Sequence, residues 1–164
     1  MEILKIQNLK KTYGEGKTKV EALKGINLSI ERGQMIAIMG PSGCGKSTLL
    51  NLISGIDRPT GGDIIVEASN ISKLNENSLA LYRRRQLGII YQFFNLIPNL
   101  SVENNIKLPI LMDNRQVEAE YFKELVNSLG IEDKLKVFPD KLSGGQQQRV
   151  AIARSLIYKP SIVL

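Results

Sequence analysis

The chain has 164 residues, 43% of them hydrophobic and 23% charged, which is one domain's worth of sequence with enough apolar material for a core. Its 22 basic against 16 acidic residues leave a net charge of +6, but the basic residues are spread along the chain, so a nucleic-acid partner is not expected. No run approaches the roughly 18 apolar residues that span a bilayer, the start Met1-Glu2-Ile3-Leu4-Lys5 lacks a signal-peptide pattern, and the single Cys44 cannot form an internal disulfide, which fits a reducing compartment.

Apolar residues at Ile3, Leu4, Ile6 and Leu9 predict an opening strand, followed by a loop over 13–20 that holds Gly14 and Gly16. Residues 26–30 alternate and predict a half-buried strand. The continuous apolar run 35–39, before a glycine, predicts a strand buried on both faces. Helical spacing runs from Lys46 to Ile53, with Gly55 as its stop. A loop over 57–62, a short strand 64–66, a helix 77–86 and a buried strand 87–91 follow. The densest basic run, Arg83-Arg84-Arg85, reads as a solvated helix face.

The texture changes after Gln92. Residues 102–112, 117–129 and 146–158 predict helices, with Gly130 as a C-terminal cap and Lys159-Pro160 ending the last of them. Residues 161–164 open a new apolar strand. The expected class is α/β: a β and phosphate-loop core over 1–92, a helical part over 93–157, and a return to the core over 158–164.

Two motifs carry chemistry. Gly40-Pro41-Ser42-Gly43-Cys44-Gly45-Lys46-Ser47, with Thr48 next, lies between a predicted strand and a predicted helix, the context required of a phosphate-binding loop. The helix start offers unpaired N–H groups and the positive end of the macrodipole, and the glycines let the backbone wrap an anion. Lys46 is expected to reach the β- and γ-phosphates, and the Ser47 hydroxyl to ligate Mg²⁺. Cys44 reads as a small filler residue. The second motif, Ser143-Gly144-Gly145-Gln146, opens the last helix as a Ser-x-x-Gln capping box. Its glycines allow close approach to the backbone, making a second candidate anion site.

Leu142 to Leu156, LSGGQQQRVAIARSL, resembles the signature helix of ABC transporter ATPases, and together with the phosphate loop the resemblance covers the whole chain. It implies a P-loop NTPase fold of ABC type, a mixed or parallel sheet with a helical subdomain, binding ATP and Mg²⁺. It implies that Tyr13 stacks on adenine. It implies that Gln92, at a strand end, helps hold Mg²⁺ and the attacking water, so that Lys46 and Gln92 are the candidate catalytic residues and Ser47 and Gln92 the metal-site residues. Ser143, Gly144, Gly145 and Gln146 would contact ATP held by a second copy, two domains closing head to tail.

Gln92-Phe93-Phe94-Asn95-Leu96-Ile97-Pro98, the run 78–85 and Pro109-Ile110-Leu111 are similar to one branch: the ATPases of lipoprotein-releasing, macrolide-export and bacitracin-type resistance systems. That implies an integral membrane permease with an extracytoplasmic domain as partner, and a cytoplasmic position on the inner face of the membrane. Phe93, Phe94, Leu96 and Ile97 would then line the groove for the permease's coupling helix. The alternatives are a soluble ABC protein acting on DNA or ribosomes, and a non-hydrolytic nucleotide-binding module.

The family next places its Walker B aspartate and catalytic glutamate beyond Ile162, and later a histidine, whereas this sequence has no histidine and stops at Leu164. The fold is therefore expected to be incomplete at the C-terminus, and residues 1–164 by themselves to hydrolyse ATP weakly or not at all and to be marginally stable.

Overall fold

The computed structural model describes every residue, Met1–Leu164, and divides into two compact units, Met1–Arg83 and Arg84–Leu164.

In the first unit, β1 (Glu2–Tyr13) pairs antiparallel with β2 (Val20–Glu31) on one side and with β3 (Gly61–Val66) on the other. A two-residue strand, β4 (Ser69–Asn70), extends the sheet to the order β2-β1-β3-β4. Register follows the buried face: Leu4 lies opposite Val66 and Ile6 opposite Ile64, and all four are buried. Both β1 and β2 are longer than predicted. Tyr13 and Val20 belong to strands rather than to the loop, which shrinks to a 3₁₀ turn at Gly16–Thr18.

Helix α1 (Lys46–Ile53) has the predicted bounds and buries Leu49, Leu52 and Ile53. Gly55 stops it, and the Cβ-free side of that glycine is filled by Leu79 and Tyr82 of α2 (Glu76–Arg85). The Tyr82 hydroxyl donates to the Ile53 carbonyl at 2.8 Å, and burial pushes this phenol well above its ordinary pKa. Arg83 donates to the Gly55 carbonyl at 2.6 Å, so it is not part of a solvated face.

The run 35–39 corrects a prediction. It is neither a strand nor buried: Met35 is 98% exposed, and Ile36, Ile38 and Met39 are exposed as well. A strand exists only where a neighbour takes up its N–H and C=O groups, and no strand of the first unit's sheet pairs with this segment.

In the second unit, β5 (Leu87–Gly88) runs parallel to β6 (Ile162–Val163). The buried strand predicted over 87–91 therefore has only two ladder residues, extended by an Ile90 N–H to Leu164 carbonyl bond of 2.9 Å. Helices α3 (Val102–Leu111), α4 (Ala119–Ser128) and α5 (Gly144–Leu156) carry the core, in which Val102, Ile106, Val126, Ile131, Val150 and Ala153 are almost wholly buried. Gly130, at φ +60, ends α4 in a Schellman turn: its N–H reaches the Asn127 carbonyl and the Ile131 N–H reaches that of Val126.

The other two arginines of the basic run also have internal acceptors. Arg84 and Arg85 both pair with Asp113, which the Tyr158 hydroxyl also meets and whose side chain is 2% exposed. The solvated-face reading fails for Arg83 and Arg84, which are half-buried against partners far off in sequence, and holds for Arg85, which stays exposed beside Asp113. No helix is long and apolar enough to cross a membrane.

Candidate nucleotide site

The phosphate loop joins the exposed segment 35–39 to α1. Gly40, Gly43 and Gly45 all have positive φ, at +155°, +80° and +95°. Gly45 is the tightest of them. A Cβ there would lie 2.7 Å from the Ala22 carbonyl oxygen and 2.9 Å from Leu23 Cδ2, because the start of α1 rests on β2. Only glycine meets both demands, a left-handed backbone and no side chain. The Gly45 carbonyl then accepts from Leu49 N–H at 2.9 Å and starts the helix.

The Lys46 ammonium folds back onto its own loop, donating to the carbonyls of Gly40 at 2.9 Å and Pro41 at 2.8 Å, with Cys44 Sγ at 3.7 Å. None of its partners is a carboxylate. A cation held by neutral carbonyls, beside the first N–H groups of a helix, fits a polyphosphate in charge and in donor type. Ser42, Gly43 and Cys44 are exposed around it, and space is open on the Cβ side of Gly43. Ser47 and Thr48 occupy the first turn of α1. No group of three or more acidic, cysteine or histidine residues is assembled to hold a metal. A hard cation there would rest on the Ser47 hydroxyl, phosphate oxygens and water, which suits Mg²⁺.

Tyr13 ends β1 and is 42% exposed, with its hydroxyl donating to Asp57 Oδ2 at 2.7 Å. Burial and the Asp57 carboxylate raise this phenol above its ordinary pKa, against a smaller lowering from Thr48.

In the second unit, Gln92 is exposed on the loop after β5. Phe93 is 81% exposed, Ile97 is exposed and Phe94 half-buried, whereas Leu96 packs on the helical core, so the four apolar residues of this loop do not share one role. Phe94 and Asn95 both adopt left-handed backbone, at φ +56 and +49. Sequence reasoning missed the two residues that hold this loop. Arg154 of α5 donates to the carbonyls of Phe94 and Asn95, and the fully buried Asn105 of α3 accepts from Ile97 N–H at 2.7 Å and donates to the Ile97 and Leu100 carbonyls. Polar residues on otherwise apolar helix faces were their only signal.

The capping box forms as predicted: Ser143 Oγ accepts from Gln146 N–H at 3.3 Å, and Gln146 Oε1 accepts from Ser143 N–H at 2.9 Å. Gly144 and Gly145 lie in the first turn with negative φ, and nothing stands within 4 Å of where a Cβ would be on either. The fold of this chain does not require glycine at these positions. Two glycines that lower helix propensity without an internal reason leave the backbone open to something from outside.

A glycine-rich loop that opens α1, with a lysine folded over it and no carboxylate among that lysine's partners, has the makeup of a phosphate-loop nucleotide-binding domain. The ABC transporter family model matches residues 23–164, and the chain belongs to that family. It is 42% identical to a bacitracin export ATP-binding protein of Halalkalibacterium halodurans, over 99% of this chain and 65% of that protein. It is 44% identical to a lipoprotein-releasing system ATP-binding protein of Saccharophagus degradans, over 99% of this chain and 72% of that protein. Both names come from the branch that the loop after Gln92 resembles. Among solved structures, a dimeric ATP-binding cassette bound to ADP and Pi superposes with a TM-score of 0.85 at 39% identity, over 98% of this chain and 72% of that one. The chain spans about two thirds of the length of most of these curated relatives, from 63% to 73%, and a quarter of a macrolide export ATP-binding/permease protein of Bdellovibrio bacteriovorus.

Proposed function

We propose that this chain is the nucleotide-binding part of an ATPase that powers a membrane permease with an extracytoplasmic domain, exporting or extracting an amphiphile such as a peptide antibiotic or a lipoprotein. In this reading it works from the cytoplasm, on the inner face of the membrane, as a head-to-tail pair of copies. Lys46 leaves the Gly40 and Pro41 carbonyls for the β- and γ-phosphates, the N–H groups from Gly43 to Thr48 cradle them, and the Ser47 hydroxyl ligates Mg²⁺. Tyr13 stacks on the adenine, and Gln92 orients the attacking water and completes the metal site. Ser143, Gly144, Gly145 and Gln146 close on the γ-phosphate held by the other copy. Hydrolysis of the bound ATP supplies the free energy for transport.

The observation that carries the reading is the Lys46 ammonium held by the Gly40 and Pro41 carbonyls at a helix start, with no carboxylate among its partners. Equilibrium binding of ATP to the protein and to its Lys46→Ala variant tests it. The expected loss is at least about tenfold, or about 1.4 kcal/mol. Equal affinities would overturn the assignment.

A further inference from the structure

Tyr13 has more support than an exposed strand-end ring needs. The Lys11 ammonium lies 4.7 Å from the centre of the Tyr13 ring, and the same nitrogen donates to Asp57 Oδ1 at 2.6 Å and to the Arg58 carbonyl at 2.7 Å. The Arg58 N–H closes on Asp57 Oδ1 at 2.7 Å, and the Tyr13 hydroxyl on Oδ2 at 2.7 Å. Three different donors thus converge on one carboxylate. Burial alone would raise the Asp57 pKa, but the hydrogen bonds from Lys11 and Tyr13 outweigh it and hold the group below its ordinary value. Lys11 is buried, which is unusual for a lysine without such a partner.

Asp57 is anchored to the helix of the phosphate loop. Its own N–H donates to the Asn51 carbonyl at 3.2 Å, and Asn51 lies within α1, which begins at Lys46. Tyr13, by contrast, ends β1. The hydrogen bond between them therefore links the ring to the same helix that would hold the phosphates.

We propose that Asp57 and Lys11 are positioning residues that hold Tyr13 as a one-sided stacking platform for a planar nucleobase, at a fixed distance from the phosphate loop; this rests on the nucleotide-binding reading above. Lys11 covers one face of the ring and leaves the other to the base. Asp57 accepts the hydroxyl's hydrogen bond, so the ring donates nothing to a base edge and contributes through its face alone. A ring fixed in advance also loses less freedom on binding than one that turns among rotamers.

The test compares ATP with inorganic triphosphate, which has no base, in the intact protein. Asp57→Ala should weaken ATP binding by about fivefold, a fraction of what a base–aromatic stack is worth. Triphosphate binding should stay within about twofold. Asp57→Asn, which keeps an acceptor for the hydroxyl but loses the charge, should fall between Asp57→Ala and the parent and serves if the alanine variant folds poorly. In a Tyr13→Ala background, Asp57→Ala should cost nothing more. Equal losses for ATP and triphosphate, or a loss that persists without Tyr13, would overturn the positioning role. Tyr13→Ala that leaves ATP affinity unchanged would instead sink the stacking assignment on which the proposal rests.

Discussion

The guanidinium of Arg154 donates to the Phe94 carbonyl at 2.7 Å and, through its other terminal nitrogen, to the Asn95 carbonyl at 2.7 Å. Burial pushes this guanidinium below its ordinary pKa. The two carbonyls belong to consecutive non-glycine residues in left-handed backbone, a conformation that costs ~1 kcal/mol per residue. The fork thus offsets strain in the loop that follows Gln92, and it does so from the helix that opens with Ser143-Gly144-Gly145-Gln146. Arg154→Met, which keeps the apolar stem, should lower stability by about 1–2 kcal/mol. It should also raise amide exchange in residues 92–97 above that in α3. Arg154→Lys, which has no fork, should recover only part of either effect. Unchanged exchange in the loop would show that the strain is held elsewhere.

The elements that were legible from sequence are those whose cause is local. Helices α1, α2 and α3 were read to within a residue or so because apolar spacing and caps lie inside the segment, and the Ser143–Gln146 box because both partners are three residues apart. Of the two elements expected to flank the phosphate loop, only the helix that follows it forms. The run 35–39 was misread because a strand needs neighbours, and composition carries no information on whether they are present. Two arginines of the basic run were misread because their acceptors are distant: Gly55 is 28 residues from Arg83, and Asp113 is 29 from Arg84. Lys11, Asn105 and Arg154 were missed because each satisfies loop atoms that no local pattern names.

Asp113 makes stability depend on acid. Its carboxyl is held well below the usual range by the Tyr158 hydroxyl, then by Arg85 and Arg84. A folded-state pKa below the unfolded value contributes stability that is full above the unfolded pKa, about 4, and is lost as pH falls below that toward the folded value. The melting temperature should therefore drop between about pH 4 and pH 2. Asp113→Asn should lower it at pH 7 and flatten that acid limb. A variant with the same acid limb as the parent would assign the pH dependence to other carboxylates.

Gly45→Ala tests the seat of the phosphate loop. The new methyl group would meet the Ala22 carbonyl oxygen at 2.7 Å, and an L residue at φ +95° is strained whatever the space. The backbone of β2 cannot yield cheaply, so the start of α1 must shift. A stability loss of about 2 kcal/mol is expected. ATP binding should fall by about tenfold with it. Wild-type stability and affinity in this variant would mean that the loop has room it does not show.

Gly145 poses the opposite case. Its φ is negative, no atom lies near the Cβ position, and it occupies the first turn of a helix whose cap is already formed by Ser143 and Gln146. Within one chain, Gly145→Ala should be neutral or stabilise by about 0.5–1 kcal/mol, since alanine is the better helix former. ATP binding to the phosphate loop of the same chain should not change, because the substitution leaves every residue of that loop as it is. In the head-to-tail pair proposed above, pairing of two copies around ATP should fail, because the methyl would stand where that reading brings the other copy's γ-phosphate to the backbone. Sedimentation of an intact, hydrolysis-deficient form with saturating ATP separates the two effects: the parent pairs and the variant stays monomeric while melting no lower. If the variant pairs as well as the parent, the open backbone at Gly144 and Gly145 is not a phosphate contact, and the glycines need another explanation.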